Sequence, residues 1–281
     1  MTGAQITRLP DGRLHLHEGP IDLICQAYGT GSEAAHARAV ARFDGLLREL
    51  VAELPSLRGV DQPTHGPIAR VMAAAVAPFR PVFITPMAAV AGAVAEAVLA
   101  AMVGPGVERA YVNNGGDIAL HLGPGQTLTC ALAGALGSGG TVVLRDTDGV
   151  RGIATSGWGG RSWSLGIADA VTVLARSAAM ADAAATMIAN AVDLPGHAAI
   201  TRRPAVDLQA DSDLGQRLVT VGVGPLTPAD RSRALDAGLA SAQAFRARGL
   251  IDSAALFLHS DLRVLGPLFL PHPDCTEPAY A

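Results

Sequence analysis

The sequence predicts an α+β protein, an antiparallel sheet core with helices packed against it. Three observations carry that expectation. Short stretches such as residues 13–17, 111–120 and 127–132 alternate apolar and polar side chains with the period of a strand. They are joined by turn residues, Glu18-Gly19-Pro20, Asn114-Gly115-Gly116 and Asp146-Thr147-Asp148-Gly149, and not by crossover helices, so the strands read as hairpins and a meander. Helical patterns stand apart from these strands, over residues 32–54, 67–79, 85–103, 177–192 and 227–247. Hydrophobic residues make up 49% of the 281-residue chain and charged residues 16%, enough for a large core and too few charges for disorder. With aromatic residues at 4%, that core must be built from Ala, Val, Leu and Ile.

Composition also narrows the partners. The formal net charge is -4 and no basic block is present, which argues against a nucleic-acid partner. The most apolar run, residues 86–103, is rich in alanine and carries Glu96, so it reads as a buried helix and no membrane association is expected. Cys25, Cys130 and Cys275 lie far apart, without the spacing of a zinc site or a disulfide framework. The first residues have no apolar signal core, and a reduced cytoplasm is the expected compartment. An Ala-rich chain with several apolar helices is compatible with a homodimer. A single domain is expected over residues 1–281, with a Pro-rich, extended tail from about 267.

In order, residues 4–28 form an N-terminal hairpin. His15 and His17 share one of its faces, as a metal pair or as ordinary surface histidines. One helix is expected over 32–54, capped by Ser32 and stopped by Pro55, with Val40, Phe43, Leu47, Leu50, Val51 and Leu54 as its apolar stripe. A second covers 67–79, and residues 81–84 make a short strand or an extended approach. Thr85-Pro86 is a strong start for the next helix. The small residues of that helix, Gly92 among them, allow either tight packing onto the sheet or room for a ligand.

Residues 111–120 then read as a strand, a corner at Gly115-Gly116 and a second strand. A glycine-rich turn follows at 134–140. Residues 154–169 concentrate glycines, hydroxyls and both tryptophans of the chain, a composition that can present main-chain N–H groups to an anion. A strand at 170–175 leads to a helix on which Asp182 and Thr186, four apart, share one face. Carboxylate and hydroxyl are hard oxygen donors of the kind Mg²⁺ accepts, and equally are common at helix starts for structural reasons. Residues 195–215 read as a polar linker, 217–223 as a strand, 227–247 as a helix opened by Thr227-Pro228-Ala229-Asp230, and 251–258 as a final strand.

Four segments stand in one order: 87–96 on the thin helix, 113–117, Ala154-Thr155-Ser156-Gly157, and 181–186. That order resembles the ApbE-like superfamily, which includes the FAD:protein FMN transferases, and most closely its bacterial branch named as a family of unknown function, over roughly residues 10–265. The resemblance implies an ApbE-like, T-fold-related architecture. It also implies a small-molecule ligand, a flavin or other nucleotide with FAD first, and Mg²⁺. Carried over by position, Asp182 and Thr186 become metal ligands, with a main-chain carbonyl near Val90. Asn114, Gly115, Gly116, Asp117, Thr155, Ser156 and Gly157 become residues of the cofactor pocket. The chemistry implied is attack on a pyrophosphate. The chain departs from the transferases at two places. Ala91-Gly92 stands where they carry Lys-Gly, and residues 158–169 hold no histidine where they carry one. Asp169 is the carboxylate nearest that position and the candidate catalytic base.

Overall fold

The computed structural model describes residues 3–131 and 141–267. The glycine-rich turn expected at 134–140, the tail beyond 267 and Cys275 lie outside the described residues. The described chain divides into two compact units. Among the described residues, one comprises 3–128, 145–154 and 175–183; the other comprises 129–131, 141–144, 155–174 and 184–267. The α+β expectation holds, with every strand pairing described being antiparallel.

In the first unit the strands β1 (Gln5–Arg8), β2 (Leu14–Glu18), β3 (Ile21–Tyr28), β4 (Arg109–Asn114) and β5 (Asp117–Leu122) lie side by side in chain order, and β8 (Gly152–Ser156) pairs next to β5. Alternation decides which face is core. On β3, Ile21, Leu23, Cys25 and Ala27 are buried, and on β4 the inward row is Ala110, Val112 and Asn114. Leu16, Leu23 and Leu120 are almost completely covered, and each such side chain contributes about 1.5–3 kcal/mol. The expected hairpin of residues 4–28 is present. Its two histidines are half-buried on the other face, where His15 Nε2 lies 2.7 Å from Asp22, so that ring is already partnered within the sheet.

The helices of this unit are α1 (Ser32–Phe43), α2 (Leu46–Ala52), α3 (Leu54–Leu57), α4 (Pro67–Val76) and α5 (Val90–Met102). The single helix expected over 32–54 is therefore three. Gly45, at φ 78°, takes the left-handed conformation that ends one helix and re-aims the next. Ser32 is the first residue of α1 and not its cap, and Pro55 sits in the opening turn of α3, where its missing N–H costs nothing. Re-aiming also shifts the stripe: Phe43, Leu46 and Leu50 are buried while Val51 is 55% exposed. Thr85-Pro86 opens a 3₁₀ turn, Pro86–Ala89, and α5 begins after it. Residues 81–84 are a turn and a bend followed by irregular chain, closed by a bond from the Val82 N–H to the carbonyl of Phe79, and not the expected strand or extended approach. Both α1 and α5 pack on the sheet, with α5 against β4 and β5.

In the second unit β9 (Ala170–Ala175), β12 (Ser253–Leu258) and β13 (Asp261–Leu265) pair in that order. The helix α8 (Pro228–Ala247) covers β12 and β13. Its expected start is confirmed: Thr227 Oγ1 accepts from the N–H of Asp230, and the Asp230 carboxylate accepts from the N–H of Thr227. The strands β6 (Thr127–Ala131) and β7 (Thr141–Arg145) form a two-stranded ladder, and β10 (Ile200–Pro204) pairs with β11 (Leu218–Val223). The polar linker expected over 195–215 is thus corrected to β10 followed by the short helix α7 (Ala205–Leu208). Arg202, paired with Asp193 and donating to the carbonyl of Leu165, anchors β10, a long-range contact that leaves no local signature. β13 is a further strand that the sequence pattern did not indicate; its alternate residues are half-exposed, so it carries little apolar contrast. The helix α6 (Ala178–Ala191) begins in the first unit and ends in the second.

Candidate functional site

The corner at Gly115-Gly116 is a two-residue hairpin loop between β4 and β5. Both glycines have positive φ, 65° and 111°, and Asn113 Oδ1 accepts from the Gly116 N–H at 2.8 Å. Asn114 and Asp117 are directly paired across the loop. Asn114 ends the inward row of β4, and Asp117 opens that of β5, so both side chains are buried among the core residues of the first unit. The polar end of an otherwise apolar row is the sequence signal of this site.

Two helices meet that end of the sheet. Asn114 donates through Nδ2 to the carbonyl of Ala91 at 3.1 Å, and the N–H of Gly92 donates to Asp182 at 3.0 Å. One turn along the same seam Glu96 accepts from the N–H of Ala179 at 2.9 Å. Gly92 is required here for space. A Cβ at this position would lie 2.2 Å from the carbonyl oxygen of Ala178, so the start of α6 rests on the bare backbone of α5. Of the two readings open for the small residues of α5, tight packing is the one seen at Gly92; the room is filled by backbone.

Asp117 lies close enough to Asp182 for its charge to act on that carboxyl. Burial raises the Asp182 carboxyl well above the ordinary carboxylate range, repulsion by Asp117 raises it further, and the N–H groups of Gly92 and Ala91 act in the opposite direction. Among the described residues Asp182 has no ion pair. Thr186 follows one turn later on α6, half-buried, in the second unit. Among the described residues no cluster of three or more His, Cys, Asp or Glu side chains could hold a metal by itself. Mg²⁺ takes one or two protein carboxylates and completes its shell with water and phosphate oxygens, so the two carboxylates are the groups here that could hold one. The action of Asp117 on Asp182 escaped the sequence, which placed one in a pocket and the other on a metal.

The remaining candidates lie in the second unit. Thr155, near the end of β8, shares a hydrogen bond with Thr172 at 2.9 Å, and Ser156 is half-buried beside it in sequence. Gly157 is pressed against the chain: a Cβ there would lie 2.2 Å from the carbonyl oxygen of Asp169. Several N–H groups of the loop that follows already have acceptors. Trp158 N–H donates to Ala168, and the Leu165 and Gly166 N–H groups donate to Asn190 and Ser164. Trp158 is half-buried, whereas Trp163 is 38% exposed. The Asp169 carboxylate accepts from Trp158 Nε1 at 3.0 Å and from the backbone N–H of His259. His259, which nothing in the sequence ties to this segment, thus comes to Asp169, its Nδ1 3.9 Å from the carboxylate.

Comparison with known proteins gives a consistent picture. The family model described as AbpE bacteria matches residues 6–264. The chain is also similar to proteins named UPF0280 protein. That of Methanothermobacter thermautotrophicus is 44% identical over 115 residues, covering 40% of this chain and 44% of the relative. For Methanothrix thermoacetophila the identity is 40% over 110 residues, covering 39% and 46%. For Methanopyrus kandleri it is 35% over 175 residues, covering 60% and 69%. The chain matches less than half the length of the first two.

Proposed function

Because the chain belongs to the AbpE bacteria family, we propose that it is an ApbE-like protein that binds a flavin nucleotide, FAD first, together with Mg²⁺ at the Asp117–Asp182 end of the sheet. The observation that carries this reading is the action of the Asp117 charge on Asp182. Two like charges brought together at a packed site repel one another, and a divalent cation offsets that repulsion. Asp182 and Asp117 would hold the ion. Mg²⁺ bound with a dinucleotide would neutralise charge on its pyrophosphate. The chain's own part is to orient. The N–H of Gly92 fixes the rotamer of Asp182, and Asn114, tied to Ala91, fixes the hairpin against the start of α5.

A second reading, binding without turnover, is favoured by Asp169. Its carboxylate is occupied by Trp158 and His259, as befits a structural acceptor, and the transferase lysine position is Ala91. Calorimetry of FAD and of FMN, each with Mg²⁺ and with EDTA, tests the first reading. FAD affinity should require Mg²⁺ and fall at least tenfold in Asp182→Asn. FAD binding that is absent, or indifferent to both Mg²⁺ and Asp182, would refute it. Chromatographic detection of FMN released from FAD separates the two readings, since release supports turnover and its absence beside tight binding supports the second.

A further inference from the structure

A cleft lies on the first unit, at the other end of the α5–α6 seam from Asp117 and Asp182. It measures about 270 Å³ and opens to solvent. One wall is apolar, from Leu99, Ala100 and Val103 on α5 together with Ala119 and Leu120 on β5. The other wall carries Arg151 and Arg176. Backbone pairing brings these two arginines together: the Arg151 N–H donates to the carbonyl of Ala175 at 2.9 Å, and the Leu120 N–H donates to the carbonyl of Arg151 at 3.0 Å. The head of Arg151 is braced by neutral acceptors, the carbonyls of Val150 and Asp146. Arg176 is exposed. Among the described residues neither arginine forms a salt bridge, and both line the cleft together with one carboxylate, that of Glu96.

We propose that this cleft is a binding site for a small organic monoanion, a carboxylate with a short apolar tail. The head pairs with Arg176 and Arg151, and the tail lies on Leu99, Val103 and Leu120. Three features select that class. The volume falls just below that of sites for drug-sized ligands, about 300–1,000 Å³, which sets a small ligand. The apolar wall rewards a hydrocarbon body over a bare inorganic anion. Charge count sets the valence. Glu96 also lines the cleft and, although one of its oxygens accepts from Ala179, leaves one net positive charge against the two arginines, which favours a monoanion over a phosphate dianion. His121 is also in the lining, and burial together with Arg151 lowers its pKa from the ordinary histidine value. Planar guanidinium forks match a carboxylate by two parallel hydrogen bonds.

The probe is hexanoate, titrated into the full chain by calorimetry, with hexan-1-ol and inorganic phosphate as separate controls at matched ionic strength. Hexanoate should bind saturably and more tightly than either control. Arg176→Gln, an exposed substitution that leaves the backbone contacts intact, should weaken hexanoate about tenfold. Val103→Asp, at a residue 38% exposed, should abolish binding by placing a like charge against the tail and head, with circular dichroism showing that the fold is kept. The proposal is overturned if hexanoate shows no saturable binding, if hexan-1-ol or phosphate binds as tightly, or if Arg176→Gln leaves the affinity unchanged.

Discussion

Gly92→Ala is the sharpest test of the seam that holds Asp182. The new Cβ would lie 2.2 Å from the carbonyl oxygen of Ala178, 2.4 Å from its carbonyl carbon and 2.7 Å from the nitrogen of Ala179. Carbon atoms in contact prefer about 3.5–4.0 Å, so the shortfall is about 1 Å. All three obstructing atoms are backbone, and no rotamer change can relieve them. The start of α6 must therefore move away from α5. Overpacking of this kind costs about 3 kcal/mol, at the upper end of the usual range because the neighbours are rigid. Alanine returns about 1 kcal/mol through its better helix propensity. The net is a loss of about 2 kcal/mol, or a fall in Tm of about 4–8 °C for a chain of this size. Urea unfolding and a thermal melt measure it, with Ala97→Gly as the contrast. Ala97 is half-buried on the same helix, and its loss should cost about 1 kcal/mol through propensity alone. The two substitutions run in opposite chemical directions, yet both should destabilise. A Gly92→Ala protein as stable as the parent, or more stable, would mean that α5 and α6 do not meet backbone to backbone.

Two further outcomes follow from the same structure. Since the native state keeps a proton on Asp182 to a higher pH than the unfolded chain does, stability should fall as pH rises from the ordinary carboxylate value of 3.8 towards the raised one, and stay level beyond it. In chelator-containing buffer, Asp182→Asn should therefore gain on the parent between pH 4 and pH 8 in urea unfolding, and a difference that is constant or of opposite sign refutes the burial and repulsion assigned to Asp182. Burial also pushes the Cys25 thiol up to about 12 and the Cys130 thiol to about 11. At pH 8 peptide mapping should find both unmodified by iodoacetamide in the native protein and alkylated in denaturant, whereas native labelling of Cys25 would show that β3 is not in the core.

Much of the α+β architecture was legible because its signals are local. Leu14 and Leu16 alternate with His15 and His17, Gly115-Gly116 can take the positive φ of a hairpin loop, and Thr227 to Asp230 close a capping box within one turn. Those choices depend on a few neighbouring residues. Where the outcome rested on distant contacts, the sequence misled. Residues 200–204 lack strand contrast and become β10 through pairing with β11 and the anchoring of Arg202. Gly45 could have been tolerated within a helix, and instead the helix turns there so that Leu46 and Leu50 reach the core.

The site divides in the same way. The sequence by itself determined its pieces, since a polar end on an apolar row, a helix of small residues and a carboxylate near the start of another helix are all readable along the chain. Only the tertiary structure decided that Asp117 and Asp182 share one environment, that Gly92 serves close packing at Ala178, and that Asp169 is occupied by Trp158 and His259. The physical reason is range. Hydrogen bonding and backbone geometry select conformation residue by residue, whereas desolvation and charge repulsion depend on which groups the fold brings together.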